Sequence, residues 1–222
     1  RSEMCIRARY GTFFKNRTLM EALSNTLIIG IISTIISTII GTIGAIGLSK
    51  YRFRGRDVID KLLYIPIVIP EVVLGIALLS IYSVLSIPLG LISITLSHIT
   101  FSIPFVVITV RARLAGFDKY LEEAAMDLGA NRIVTFWRVT LPLIMPGVLS
   151  GAMLAFSLSI DDVVISFFTA GPGSTTLPLK IFSMVKTGVT PEVNALSTVI
   201  MVITIIIIAL NTAFQVRKLK AQ

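Results

Sequence analysis

Charge is scarce in this 222-residue sequence. Only 14% of residues are charged against 55% hydrophobic, and the mean hydropathy is +0.90. A soluble domain carries about 25% charged residues, so the shortage points to a chain that crosses a membrane several times. Cysteine is nearly missing: Cys5 alone forms no disulfide framework and no cysteine metal site. No G-x-x-x-x-G-K-[ST] sequence occurs; G-T-I-G-A-I-G at 41–47 has the glycines without the Lys-Ser/Thr, so the chain binds no ATP through a P-loop. The net charge of +8 would suggest nucleic acid in a soluble protein. Here the basic residues cluster at the ends of apolar runs, as membrane topology requires, and nucleic acid is discounted.

Long apolar runs are what the chain has. A helix needs about 20 apolar residues to cross the bilayer core. Five runs qualify, at roughly 24–49, 59–84, 90–111, 142–168 and 195–216. They predict an all-α membrane protein, a polytopic transmembrane helix bundle. Three segments are basic: K-Y-R-F-R-G-R-D after the first run, the polar stretch 111–140 after the third, and R-K-L-K-A-Q after the fifth. Even numbers of helices separate them, so they share one side, which the positive-inside rule makes cytoplasmic. The N-terminus runs against that rule, because Arg1, Arg7, Arg9, Lys15 and Arg17 then lie outside. The chain opens on Arg1 without a regular pattern or the apolar core of a signal peptide. Residues 1–19 are therefore expected to be an extracytoplasmic or artefactual segment of a truncated reading frame, and 20–222 the membrane domain.

In the first run, Gly30, Ser33, Thr34, Ser37, Thr38, Gly41 and Ala45 recur at helical spacing, followed by Gly44 and Gly47. Such small residues let helix backbones approach closely in lipid. His98, the single histidine, sits beside Ser97 and Thr100 and is expected to make an interhelical hydrogen bond; a proton relay would need a partner. Thr190 suits an N-cap, with Pro191 at the first helical position of the last span.

Acids inside apolar runs are the candidate site. S-L-S-I-D-D-V-V-I-S-F-F, 157–168, holds Asp161 and Asp162. A charge in a span costs about 2.5–3.5 kcal/mol on insertion scales, so it faces a cavity or a partner. Successive helical residues diverge by about 100°, so the two aspartates cannot point the same way. Asp162 shares a face with Ser159 and Ser166 and is the better candidate for a wet, pore-facing carboxylate. Asp161 is left to bond a neighbouring helix or cap a helix break. Structural roles for both stay open. In I-P-I-V-I-P-E-V-V-L-G-I, Pro66 and Pro70 each remove a backbone donor, which predicts a kink or break with Glu71 opening the restarted half. Broken helices build transport sites, and a half-helix N-terminus stabilises a charged acid. An ordinary first-turn glutamate is the alternative. Neither stretch holds Lys or Arg, so an arriving cation would be the counter-ion.

The polar stretch contains L-E-E-A-A-M-D-L-G-A-N-R-I-V-T-F-W-R-V-T-L-P. Residues 121–128 are strong helix formers and Gly129 suits a C-terminal cap. A second amphipathic stretch, with Ile133, Val134, Phe136, Trp137 and Val139 apolar, then runs into Leu141-Pro142. Two short helices joined at a glycine are expected, either lying on the headgroups or forming a docking surface. The segment resembles the EAA loop of ABC-importer permeases: Glu123-Ala124-Ala125, three residues including Asp127, Gly129, then an aliphatic residue before Leu141-Pro142, with Val139 where Ile is commoner. The resemblance implies a type I permease fold with a coupling helix, about 112–141, seated on a cytoplasmic ATPase. Glu123 and its neighbours would transmit closure, Gly129 would turn the chain, and Pro142 would begin the next span.

S-H-I-T-F-S-I-P-F-V-V-I-T-V at 97–110, S-I-D-D-V-V at 159–164 and L-P-L-K-I-F-S-M-V-K-T-G-V-T-P-E-V-N-A-L at 177–196 resemble the C-type spermidine/putrescine permeases. That resemblance implies six spans in the full-length protein, with one before the first seen here. It also implies a second permease subunit, two ATPase subunits, an extracytoplasmic polyamine-binding protein, and a bacterial inner membrane. The chain itself would perform no covalent chemistry and hold no metal or cofactor. A polyamine, with ammonium groups spaced by methylenes, suits spaced carboxylates with apolar surface between them. Other readings are a permease for another cationic or small organic solute, or a proton-coupled secondary transporter, which needs no coupling loop. An intramembrane aspartyl protease needs two aspartates converging from separate helices, which adjacent residues cannot do.

Overall fold

The computed structural model describes residues 17–116, 118 and 120–187. The predicted fifth run at 195–216, the Thr190 cap, the C-terminal basic segment and residues 1–16 lie outside the described residues. The elements are α1 (Arg17–Lys50), α2 (Arg56–Val68), α3 (Glu71–Val84), α4 (Leu91–Ala115), α5 (Tyr120–Asp127), α6 (Arg132–Thr135), a π-helical turn (Phe136–Thr140), α7 (Leu141–Asp161), α8 (Val164–Thr169) and α9 (Leu177–Thr187). No strand occurs among the described residues. Residues 24–179 form one compact unit. Residues 17–23 and 180–187 belong to another, in which Arg17 pairs with Glu21 at 2.9 Å and the Lys186 ammonium lies 4.6 Å over the Phe182 ring.

Three helical stretches, Arg17–Lys50, Leu91–Ala115 and Arg132–Asp161, are long and apolar enough to cross a bilayer, and the α2–α3 pair makes a fourth if counted as one. α4 is the hub. Its Val106, Val107, Val110 and Leu114 pack with Ala45 and Leu48 of α1 and with Ile144 and Ala155 of α7. The small-residue stripe of α1 faces this interior: Ser33, Ser37 and Ala45 are fully buried. At Gly41 a Cβ would sit 2.7 Å from the Val106 Cβ, so only glycine permits this approach of α1 to α4. The opposite face of α1 exposes Ile31, Ile35, Ile39 and Ile43, as a lipid-facing surface does.

Two of the predicted runs are not continuous helices. The 59–84 run divides at Ile69-Pro70, and its halves are bent by 113°. Pro66 stays inside α2, so of the two prolines only Pro70 accompanies the break. Ile69 is extended (φ −71°, ψ 135°), the conformation that a following proline imposes. The 142–168 run ends at Asp161 and restarts at Val164. Conversely, no break separates the coupling stretch from the next span. Pro142 offers no N–H to the turn before it, and that turn widens to π geometry, with Leu141 N–H donating to Phe136 O.

Candidate translocation site and coupling segment

Both broken spans carry an acid at the break, and their restarted halves pack together. Glu71 opens α3, and Asp161 closes α7; both are exposed. α3 contributes Leu78 and Tyr82 to a cluster with Phe101 of α4 and Ile165 of α8. The prediction that Glu71 starts a restarted half agrees with this geometry.

Of the two aspartates it is Asp162, not Asp161, that caps the helix break. Asp162 is the cap: it leaves the helical ladder (φ −64°, ψ 127°), and its carboxylate accepts from Ile165 N–H at 3.2 Å and Ser166 N–H at 2.8 Å. Its side chain is 6% exposed. The three- and four-residue spacing to Ser159 and Ser166 defines one face only on a continuous helix, and the break at 162 ends that helix. Asp161, the last helical residue, is the exposed one.

Ser159, Ser166 and Asp162 nevertheless converge, on His98. The imidazole is fully buried, with Nδ1 2.6 Å from Ser159 Oγ and Nε2 3.2 Å from Ser166 Oγ and 3.3 Å from Asp162 Oδ2. Ser159 Oγ also lies 3.2 Å from Ser33 Oγ of α1. The predicted interhelical bond of His98 is present, with three partners in place of one. Their sequence spacing marks the two serines and Asp162 together, but it is the break, not a continuous helix face, that brings them to one ring.

At the other end of the bundle, the coupling stretch folds as two helices turned at a glycine. Gly129 adopts φ +89°, a left-handed conformation that favours glycine, and Ala130 N–H donates to Ala125 O across the turn. Asn131 then caps the next helix by accepting from Val134 N–H at 2.8 Å. Glu123, Ala124 and Asp127 are exposed, while Ala125 is half-buried. Tyr120, Leu128, Ile133 and Trp137 form exposed apolar surface. Leu141 and Pro142 open α7.

The inward acid is Glu122, which the sequence pattern had not singled out. It pairs with Lys50 at the end of α1 and accepts from the Thr140 hydroxyl in the π-turn. The sheltered positions of α5, Glu122 and Ala125, are three apart and mark its inner face. Burial pushes the Glu122 carboxyl up, but the bonds from Lys50 and Thr140 and the Lys50 charge together hold it below the ordinary carboxylate range. Beside this cluster is an open cleft of about 290 Å³, lined by Lys50, Tyr51, Arg132 and Phe136 among others. Asp60 of α2 pairs with Arg111 of α4, and Arg56 Nε donates to Leu48 O at 2.8 Å. The first two basic segments are thus tied to the same end of the bundle.

Broken helices, acids at the breaks and a two-helix projection at one end define a membrane permease. The signature of the binding-protein-dependent transport system inner membrane component family matches residues 37–218, and the chain belongs to that family. It is 44% identical over 199 residues to the spermidine/putrescine transport system permease protein PotC of Escherichia coli strain K12, covering 90% of this chain and 75% of that one. Over 199 residues it is 41% identical to the putrescine transport system permease protein PotI of the same strain, covering 86% and 71%. A probable molybdenum ABC transporter permease of Haloferax volcanii is 34% identical over 190 residues, covering 82% and 70%. Among solved structures, a bacterial ABC transporter involved in import of the acidic polysaccharide alginate matches with TM-score 0.72 at 19% identity, covering 93% of this chain and 78% of that one. An amino acid ABC transporter matches with TM-score 0.69 at 16% identity, covering 94% and 97%. These two share the fold.

Proposed function

We propose that this chain is a permease subunit of an ATP-driven importer that carries polyamines, spermidine and putrescine among them, across the bacterial cytoplasmic membrane. The observation that carries the substrate is the pair of exposed acids at the two breaks, Glu71 and Asp161, in stretches without basic residues. No Lys or Arg occurs from 62 to 110 or from 139 to 179. The greater identity to the two polyamine-named permeases than to the molybdenum-named one supports the same reading. Asp162, Ser159 and Ser166 serve the pathway from behind, by building the break that presents Asp161.

ATP hydrolysis belongs to partner ATPase subunits. The exposed apolar residues of the coupling segment, with Glu123, Ala124 and Asp127 beside them, form the surface that those subunits seat on. Gly129 sets its angle, and Leu141-Pro142 pass its motion into α7. The end of the bundle bearing Lys50 and Glu122 is the cytoplasmic one. A second permease subunit and an extracytoplasmic polyamine-binding protein complete the machine, and alternating access passes the cation between helices.

The test is ATP-dependent uptake of labelled spermidine into vesicles carrying the full-length gene with its genomic partners, competed by putrescine, an amino acid and molybdate. Block by putrescine alone is expected. Uptake of a different solute would remove the polyamine reading and keep the coupling segment. No ATP dependence in a verified assembly would overturn the coupling reading as well. Asp161→Asn is expected to lower polyamine uptake at least several-fold at normal expression.

A further inference from the structure

A break inside a membrane span interrupts the backbone ladder, so something other than that ladder must set the two sides relative to each other. In the fourth span the two sides are α7 and α8, with Asp162 and Val163 between them. His98 touches all three parts from one ring on α4. Its Nδ1 meets Ser159 on α7, and its Nε2 meets Ser166 on α8 and Asp162 at the break itself. The ring is fully buried, with its centroid 5.1 Å from that of Phe101.

Donor and acceptor roles make the arrangement specific. The Asp162 carboxylate already accepts from two backbone N–H groups, and an ionised carboxylate can only accept. A proton on Nε2 therefore satisfies Asp162 and Ser166, and leaves Nδ1 to accept from the Ser159 hydroxyl. An apolar residue of similar size would leave polar groups on both sides of the break unpaired. An amide could reproduce only one side: asparagine reaches the Nδ1 position and glutamine the Nε2 position.

Asp161 is the residue immediately before the break, two positions beyond Ser159 in the last turn of α7. We infer that His98 is a positioning residue, fixing α7 and α8 in one register and so setting where the Asp161 carboxylate stands. Its consequence for transport rests on the pathway reading of Asp161 given above.

The experiment places a thiol at the position by Asp161→Cys in the assembled full-length transporter, with Cys5→Ser and any other cysteines removed. The rate of modification by a charged, membrane-impermeant thiol reagent is then measured. His98→Leu is expected to change that rate tenfold or more, with His98→Asn and His98→Gln in between. A merely space-filling histidine would alter yield or melting temperature and leave the rate in surviving complexes as it was, which overturns the inference. Should His98→Leu fail to assemble, Ser159→Ala keeps the ring and deletes its shorter bond, and an unchanged rate there overturns it equally. The labelling readout is independent of substrate. If the rate shifts but Asp161→Asn transports polyamines normally, positioning stands and the pathway reading fails. If Asp161→Asn abolishes uptake and the rate never shifts, the reverse holds.

Discussion

Two polar clusters join helices in this molecule, and they do so by opposite means. Around His98 the partner side chains are buried, and the one carboxylate is held by two backbone N–H groups and the imidazole. Around Glu122 the joint is an ion pair whose side chains are 18% and 22% exposed, supplemented by a hydroxyl. Inside the lipid region an unpaired acceptor has no water to turn to, so a joint there must be complete. At the end of the bundle water competes for each partner, and an ion pair is correspondingly weak and reversible. The first cluster is suited to hold a break still. The second is suited to let the two-helix projection move.

The largest effect should come from breaking the closed cluster. Asp162→Leu removes two cap bonds, a loss of about 0.5–2 kcal/mol. It also strands the proton of a buried ring, at about 1–3 kcal/mol. A drop of several degrees in the melting temperature of the purified protein, with reduced membrane yield, is expected. Asp162→Asn keeps one accepting oxygen and should lose less. If the leucine variant melts with the wild type, the complete-joint argument is wrong.

Much of this was legible before the structure, and the failures share a cause. The apolar runs, the small-residue face of α1 and the Gly129 turn are local signals, set by hydropathy, helical period and a positive φ. The spacing of Asp162 to Ser159 and Ser166 defines one face only on an unbroken helix, and the helix ends at Asp161. A break cannot be seen from hydropathy when both halves are equally apolar. Pro66 and Pro70 look alike as donors removed, yet the helix runs on through Pro66 and breaks only at Ile69-Pro70. Glu122 was missed because the resemblance drew attention to its neighbour Glu123, and nothing local tells which glutamate meets a lysine 72 residues earlier.

Gly129→Val is the next effect in size. A β-branched residue at φ +89° pays about 1–2 kcal/mol of backbone strain. The coupling segment should reorient while α4 and α7 keep their packing. The expected result is a lower ratio of solute moved to ATP hydrolysed with little change in melting temperature. A large loss of stability would mean that the turn also supports the bundle.

Reversing one charge of the open cluster should matter less. Lys50→Glu faces Glu122 with a like charge, and a few-fold loss of uptake is expected. Adding Glu122→Lys should recover most of it. The coupling between the two positions, from the double-mutant cycle, is expected to be about 1 kcal/mol or below. A much larger value would place this cluster with the buried one and erase the contrast.

The smallest perturbation is a single proton on Glu122. Because its folded carboxyl titrates below the ordinary range, its attachment is at full strength above the unfolded carboxylate value and is lost as pH falls through the lower folded one. Trp137, the only tryptophan of the sequence, lies in the same segment, 62% exposed, with its ring centroid 5.4 Å from that of Phe136, which lines the cleft beside Glu122. Its emission in the purified chain should therefore shift with a midpoint below the ordinary carboxylate range, and Glu122→Gln should abolish that shift. Thr140→Val deletes one of the bonds that favour the charged carboxyl, so it should move the midpoint upward without removing the transition. A midpoint unmoved by Thr140→Val would leave Lys50 alone to hold the segment, and the π-turn would then carry no part of the joint.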